Sequence, residues 1–205
     1  HLRDATLGMY AQAQGVQVRV RVRAQNSEEA HRLLSPVEAE LRRLLGDHIW
    51  GVDDQALEEQ VGNELRRQGL TLAVMESCTG GLLAHTITQV PGSSHYFRGG
   101  VVAYSNDMKI AWGVDPALIR DYGAVSLQVV QDMARAARDR MGADLGIGVT
   151  GVAGPEELEG NPAGTVHIAL AHQGGTLHFS RRYPSQRALV KQRATMQALI
   201  ELWNL

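Results

Sequence analysis

Residues 76–81 read ESCTGG and set three side chains with a nucleophilic or hydrogen-bonding group in a row, Ser77, Cys78 and Thr79. A strand-like stretch precedes this segment and a helix-like stretch follows it, so backbone N–H groups at the helix start could hold an anion or a developing oxyanion. The structural alternative is a helix cap by Ser77 or Thr79, with Gly80 and Gly81 present for packing. The segment alone leaves both interpretations open.

A second group of polar residues lies in YSNDMK at 104–109, after another strand-like stretch, and contains Tyr104, Ser105, Asn106 and Lys109. A lysine removed from water has a lowered pKa and can accept the proton of a serine without an aspartate to orient it. Ser77, Lys109 and Tyr104 are the parts of a serine-lysine amidohydrolase site. The structural alternative makes Lys109 a solvated helix residue and Tyr104 a core or rim residue.

A third candidate loop begins at Thr150 and runs to Pro155 through Gly151, Ala153 and Gly154. Ligands of open α/β sheets collect at the carboxyl ends of the strands, so we expect the three loops to share one site. The eight histidines have no spacing that suits a metal. The sequence therefore predicts a site without metal or cofactor.

Composition narrows the possible partners and compartment. A net charge of -2 and the absence of a long apolar run argue against an anionic membrane partner, and a single cysteine excludes an internal disulfide. The cytoplasm is the expected compartment. Arg19, Arg21 and Arg23 form a basic stripe that could contact phosphates, but a solvated strand face is favoured because no aromatic residues are interleaved. Nucleic acid is therefore not an expected partner.

The first fifty residues predict a small and incomplete unit. Valines alternate with polar residues over 16–25, which indicates a half-buried strand. Asn26 and Ser27 begin a helix that runs to Gly46, with a break or restart expected at Pro36. HIWG at 48–51 reads as a short strand, and the chain opens on polar, loop-like residues before the first clear element. The expected order is a partial β-α-β segment, and a linker is expected near 52–55.

From residue 70 onward, strand-like and helix-like stretches alternate. Strands are predicted at LTLAVMES, GGVVAYS, ADLGIGVTG, TVHIALAH and TLHFSRRY, and helices at TGGLLAHTITQV, NDMKIAWG, 127–142 and the C-terminal stretch. Helical crossovers require parallel strand pairs, and the hairpin at 173–175 adds an antiparallel pair. The fold class is therefore α/β, a layered α/β/α domain with a mixed sheet.

Several motifs in order give the chain a resemblance to a known family: ESCTGG, PGSSHYFRGGVVAYSNDMK, YGAVS, and VTGVAGP followed by NPAGTVHIAL. They closely resemble the C-terminal domain of the competence/damage-inducible protein family, the nicotinamide mononucleotide deamidases. Residues 1–52 resemble part of the family's KH-like middle domain but contain no GxxG clamp for nucleic acid. The resemblance implies two domains, 1–52 and 53–205.

The resemblance implies an enzyme that hydrolyses the carboxamide of nicotinamide mononucleotide, without a metal, in pyridine-nucleotide salvage. It places the family's nucleophile on Ser77, its lysine base on Lys109 and its tyrosine on Tyr104, and makes Cys78 a buried neighbour. In this mechanism Tyr104 would relay or orient the proton that reaches the leaving ammonia. Backbone N–H groups at 79–81 would hold the oxyanion. The implied substrate-binding residues are Thr79, Gly80, Gly81, Ser105, Asn106, Thr150, Gly151, Ala153, Gly154, Arg187 and Lys191, the last two with the 150–154 loop as phosphate candidates.

The chain departs from the family pattern at Glu157 and Leu158, at Ser185 and Gln186, and at Lys191, where an arginine is usual. A catalytically silent nucleotide-binding or regulatory module therefore stands as the alternative function. The expected partners are a small nucleotide and a second copy of the chain in a dimer.

Overall fold

The computed structural model describes residues 5–12 and 15–205, which form two compact units, 1–54 and 55–205. Across these described residues, no helix is both long enough and apolar enough to cross a membrane.

The first unit begins with a hairpin. Strand β1 (Ala5–Ala11) pairs antiparallel with strand β2 (Val16–Val22), in a register that sets Ala5 opposite Val22. The predicted strand at 16–25 is confirmed, whereas β1 was not predicted. Alanines and glycine interrupt the apolar alternation of β1, so the sequence signal of this strand is weak.

Helix α1 (Ser27–Leu45) follows the hairpin, and its start is confirmed, since the Asn26 side chain accepts a hydrogen bond from the Glu29 N–H at 2.9 Å. The expected break at Pro36 is wrong, because the helix continues through it. Proline removes a single N–H donor, and on this exposed helix water can satisfy the carbonyl left behind. Among the described residues of this unit, Val37 alone is buried.

The end of the first unit also differs from the prediction. Residues 46–48 form a 3-10 turn in which the Ile49 N–H donates to the Gly46 carbonyl, and HIWG forms no strand. Gly46 has a φ of 52°, a conformation that ends α1 and turns the chain. The described order is therefore β-β-α, where the sequence predicted β-α-β.

The second unit is built on a five-stranded mixed sheet in the order β4-β3-β5-β6-β7. Strand β3 is parallel to both β4 and β5, whereas β6 and β7 add antiparallel pairs. This confirms the predicted fold class. The strands are β3 (Leu72–Glu76), β4 (Phe97–Val102), β5 (Leu145–Gly151), β6 (Thr165–His172) and β7 (Gly175–Arg182).

Helices cover the sheet. They are α2 (Leu57–Gln68), α3 (Leu82–Thr88), α4 (Asn106–Ala111), α5 (Pro116–Tyr122), α6 (Leu127–Arg140) and α7 (Arg187–Trp203). Helix α6 lies directly on β5, where a Cβ built on Gly146 would meet the Ala134 carbonyl oxygen at 2.1 Å. Glycine at this position permits the close approach. Helix α5 was not predicted; it begins at Pro116 behind the Asp115 side chain, which accepts the Ala117 N–H.

The parallel strands bring the candidate loops together. In the sheet register Glu76, the last residue of β3, lies beside Val102 of β4 and Val149 of β5. Because all three strands run in the same direction, the loops that follow them leave from one edge.

Candidate active site

Ser77 directly follows β3 and is held in the sheet by its own backbone. Its N–H donates to the Val149 carbonyl oxygen at 2.9 Å, and only 7% of the residue is exposed. The backbone of Ser77 is therefore fixed at the sheet edge, and its side chain is largely removed from water.

Lys109 comes to Ser77 from the neighbouring loop. The Ser105 side chain caps α4 by accepting the Met108 N–H, and Lys109 lies within this short helix with only 2% of its surface exposed. The Lys109 Nζ donates to the Ser77 Oγ at 3.3 Å and to the Tyr104 carbonyl oxygen at 3.4 Å. The structure therefore brings Ser77 and Lys109 together in a nearly dry contact.

Burial changes the acid–base behaviour of Lys109. Loss of water lowers the pKa of Lys109 below its ordinary value, while the Glu159 carboxylate and the Cys78 thiol oppose this shift. Both hydrogen-bond partners of the amine are neutral oxygens, so no direct ion pair retains its proton. A lowered pKa favours the neutral form of lysine, which is the form that can remove a proton from a serine.

Glu76 organises the loop between β3 and α3. Its carboxylate is buried and accepts three backbone N–H groups, from Gly81 at 3.0 Å, Leu83 at 3.0 Å and Ala84 at 2.8 Å. These are donors that a helix start leaves without intrahelical partners, and a carboxylate suits them well. The sequence analysis missed this role because Glu76 lies five to eight residues before its donors, outside the spacing of a local cap.

The contacts of Glu76 change the expected roles of the following residues. The Gly81 N–H is taken by Glu76, and the Gly80 N–H donates to the Ser77 carbonyl oxygen at 3.0 Å. Neither group is directed at a ligand, contrary to the expected oxyanion role. The alternative interpretation, a helix cap by Ser77 or Thr79, is also not observed: Gly81 is the N-cap residue, and the buried Thr79 hydroxyl has no hydrogen-bond partner within the described chain.

Cys78 is buried, as the resemblance implied, and burial raises the pKa of its thiol to about 12. A thiol with that pKa carries almost no thiolate at neutral pH, and thiolate is the nucleophilic form of cysteine. Of the two adjacent candidates for a nucleophile, Ser77 contacts the candidate base Lys109, whereas Cys78 is held in the unreactive thiol form.

Tyr104 has two separate contacts. Its carbonyl oxygen touches the Lys109 Nζ, whereas its hydroxyl accepts a hydrogen bond from the Arg187 Nη2 at 2.6 Å. Arg187 also donates from Nη1 to the Gly154 carbonyl oxygen at 3.4 Å. The first residue of α7 therefore links the loops after β4 and β5, and the phenol of Tyr104 is held by Arg187.

The remaining substrate-binding candidates divide into buried and exposed sets. The Thr150 hydroxyl is buried and donates to the Ala124 carbonyl oxygen, and a Cβ built on Gly151 would meet the Thr165 carbonyl oxygen at 2.6 Å, so both have structural contacts. Ala153 is buried, whereas Ser105 and Asn106 are exposed.

Lys191 lies against the Ser77 loop, since a Cβ built on Gly80 would be 3.3 Å from the Lys191 Nζ. Of the 20 lysines and arginines in the sequence, only Lys109 and Lys191 are lysines; the Lys109 Nζ contacts Ser77, and the Lys191 Nζ lies near Gly80. Lysine can lose its proton when buried or flanked by cations, whereas arginine retains it.

Glu159 is a second residue that the sequence analysis missed. Its carboxylate accepts the Val125 N–H at 3.1 Å and is the charge that acts most strongly on Lys109. No local pattern marks it, because Val125 is far away in sequence. Within the described residues, no group of three or more His, Cys, Asp or Glu side chains could hold a metal ion.

Comparison with known proteins now identifies the family, because the sequence model of the CinA C-terminal domain matches residues 54–205. The chain belongs to the CinA family. The model of the damage-inducible protein CinA KH domain matches residues 1–51.

Relatives and solved structures agree with this family. A putative competence-damage inducible protein of Moorella thermoacetica is 43% identical over all of this chain and 50% of its own length, and a CinA-like protein of Frankia casuarinae is 45% identical over 91% of this chain and 44% of its own length. The chain thus spans about half the length of the curated relatives it matches. A CinA superfamily protein from Escherichia coli superposes with a TM-score of 0.71 at 29% identity, over 78% of this chain and 98% of the solved one.

Proposed function

We propose that this chain of the CinA family is an amidohydrolase that converts nicotinamide mononucleotide and water into nicotinic acid mononucleotide and ammonia, in the cytoplasm and in pyridine-nucleotide salvage. The observation that carries the proposal is the contact of 3.3 Å between the buried Lys109 amine and the Ser77 hydroxyl. The choice of substrate rests on the resemblance of the four motifs to the deamidases.

In the proposed first step, neutral Lys109 accepts the Ser77 proton while the Ser77 Oγ bonds to the carboxamide carbon. The carbon–nitrogen bond then breaks, and the amide nitrogen leaves as ammonia with the proton that came from serine. Water attacks the resulting ester, which releases the carboxylic acid and restores the serine hydroxyl. One water is consumed for each ammonia formed, and no oxidant or reductant is needed.

The oxyanion formed on the way requires N–H donors. Because Gly80 and Gly81 already donate within the loop, we assign this role to the N–H groups of Cys78 and Thr79, which are the next along the chain from Ser77. Glu76 supports them indirectly, since its three hydrogen bonds fix the loop and the start of α3.

The phosphate of the substrate is assigned to Arg187 and Lys191. They are one helical turn apart on α7, so they lie on the same face of that helix, and both reach loops of the candidate site. A planar guanidinium beside an ammonium is a suitable pair for a phosphate monoester.

The proposal is tested by measuring ammonia release from nicotinamide mononucleotide by the purified chain, with the Ser77→Ala protein as the matched control. Ammonia release that depends on Ser77 is expected. If the wild-type chain binds the nucleotide without releasing ammonia, the alternative of a silent nucleotide-binding module is correct. One observation speaks for that alternative: the Tyr104 phenol is held by Arg187 in the present arrangement.

A further inference from the structure

The hydrogen bond between Arg187 and Tyr104 joins a group assigned to substrate binding with a group assigned to proton transfer. The Arg187 Nη2 lies 2.6 Å from the Tyr104 hydroxyl oxygen. No carboxylate of the described residues lies within ion-pair distance of this guanidinium, whereas the helix α1 arginines Arg42 and Arg43 each pair with a glutamate. The acceptors of the Arg187 guanidinium are therefore the Tyr104 hydroxyl and the Gly154 carbonyl oxygen, and neither is a carboxylate.

A neutral phenol is a weaker partner for a guanidinium than an anion. A hydrogen bond from a guanidinium is charge-assisted with either acceptor, but an anionic acceptor adds Coulomb attraction, and phosphate can be bound with two parallel hydrogen bonds. Lys191 lies one turn further along the same face of α7 and adds a second positive charge. A phosphate placed between the two side chains would displace the phenol from Arg187.

The Tyr104 side chain can rotate once its hydrogen bond to Arg187 is broken. The residue is 58% exposed, so rotation of its side chain breaks few packing contacts. Its backbone, in contrast, is anchored beside the reacting groups, because its carbonyl oxygen accepts the hydrogen bond from the Lys109 Nζ. A rotation about the side-chain bonds alone changes the position of the hydroxyl relative to Lys109 and Ser77.

We propose that Arg187 is a positioning residue that holds the Tyr104 hydroxyl away from the reaction until the phosphate of the substrate takes its place. This inference rests on the proposed function and adds that phosphate binding assembles the site. Binding energy from a part of the substrate that does not react is then used to raise kcat and not only to lower KM.

The direct test compares nicotinamide mononucleotide with nicotinamide riboside, which carries the same carboxamide but no phosphate. The riboside is expected to have a lower kcat as well as a higher KM. Added inorganic phosphate is expected to raise riboside turnover by about tenfold in the wild-type chain, since it can fill the place between Arg187 and Lys191.

Two variants separate the proposed role from simple charge attraction. Arg187→Ala is expected to abolish activation by phosphate and to raise kcat on the riboside, because the phenol is then free. Arg182→Ala removes an exposed arginine whose side chain has no hydrogen bond or ion pair within the described residues, and it is expected to retain activation by phosphate. A riboside kcat that falls in Arg187→Ala, or activation that survives in it, overturns the inference.

A second measurement needs no catalysis. The sequence has five tyrosines, so a protein labelled with ¹³C at the tyrosine ring carbon that bears the hydroxyl gives a short set of signals. Inorganic phosphate is expected to shift the signal that Tyr104→Phe removes, and Arg187→Gln is expected to prevent the shift. If nicotinamide mononucleotide is hydrolysed but phosphate leaves this signal unmoved, the inference fails and the proposed function stands. If the signal moves but the nucleotide is not hydrolysed, the proposed function fails, whereas the displacement of the Tyr104 hydroxyl from Arg187 by phosphate stands.

Discussion

Arg43 in the first compact unit and Lys109 in the second are two cations held in opposite ways. On α1 of the first unit, Arg43 is exposed and its Nη2 lies 2.7 Å from Glu40, a hydrogen bond that raises the pKa of the arginine. In the second unit, Lys109 is buried against two neutral oxygens, and loss of water lowers its pKa. The first arrangement keeps a surface charge in place, whereas the second prepares an amine to give up its charge. Burial without a directly paired counter-ion is what distinguishes a candidate base from a solvated cation.

The largest expected effect comes from removing the nucleophile. Ser77→Ala should lower kcat for ammonia release by about a thousandfold or more, because no acyl intermediate can form. Cys78→Ala removes the buried neighbouring thiol and should retain most of the activity. The comparison uses circular dichroism to show that both proteins are folded. An inactive Cys78→Ala beside an active Ser77→Ala would replace the proposed mechanism by a thiol mechanism.

The next effect concerns the base. Lys109→Arg should lower kcat by about a hundredfold or more, close to the loss in Lys109→Ala, because guanidinium keeps its proton at any working pH. Lys191→Arg is the matched control, since it makes the same substitution at the chain's other lysine; it retains the positive charge and should have the smaller effect on kcat. A substantially active Lys109→Arg protein would exclude lysine as the base.

The pH dependence of activity in the wild-type chain tests whether the buried Lys109 acts as a neutral base. Activity requires neutral Lys109, so kcat/KM should fall as pH decreases through the pKa of this amine. Because burial lowers that pKa, the fall should lie at lower pH than an ordinary exposed lysine would give. Measuring kcat/KM across the range from acid to alkaline pH tests the sign: a rate that rises as pH falls through this range would contradict a neutral lysine base.

A smaller effect is expected from changing Glu76, the carboxylate that holds the loop between β3 and α3. Glu76→Gln leaves one acceptor oxygen where the carboxylate offers two, so at least one of the three buried or partly buried N–H groups loses its partner. The free energy of unfolding should fall by about 2 kcal/mol, measured by urea denaturation. Activity should fall as well, since the start of α3 and the Ser77 loop share these bonds. Exposed Glu157 serves as the control, and Glu157→Gln should change neither quantity.

The smallest effect on the chemistry is expected from the first unit. Residues 54–205, expressed alone, should retain ammonia release, because every proposed catalytic residue lies beyond position 75. Size-exclusion chromatography of this protein beside the full chain measures whether the first unit is needed for the expected dimer. Loss of ammonia release from a folded 54–205 protein would mean that the first unit supplies substrate contacts.

The sequence by itself determined the layered α/β class and the strands of the second unit, because long periodic stretches bury their apolar faces wherever they occur. It also marked Ser77, Tyr104 and Lys109 as candidates, through residue types at strand ends and a family resemblance. It failed at β1, at Pro36 and at HIWG, where the local signal is short or depends on whether water can replace one hydrogen bond.

Only the tertiary structure decided which polar atoms meet. Glu76 is bound to α3, the Gly81 N–H is therefore not offered to a ligand, and the Tyr104 hydroxyl is bound to Arg187 across 83 positions of the chain. Each of these contacts joins residues whose spacing follows no helical or strand period, so no local pattern could reveal them. The lowered pKa of Lys109 has the same origin, because the removal of water from an amine depends on everything that packs around it.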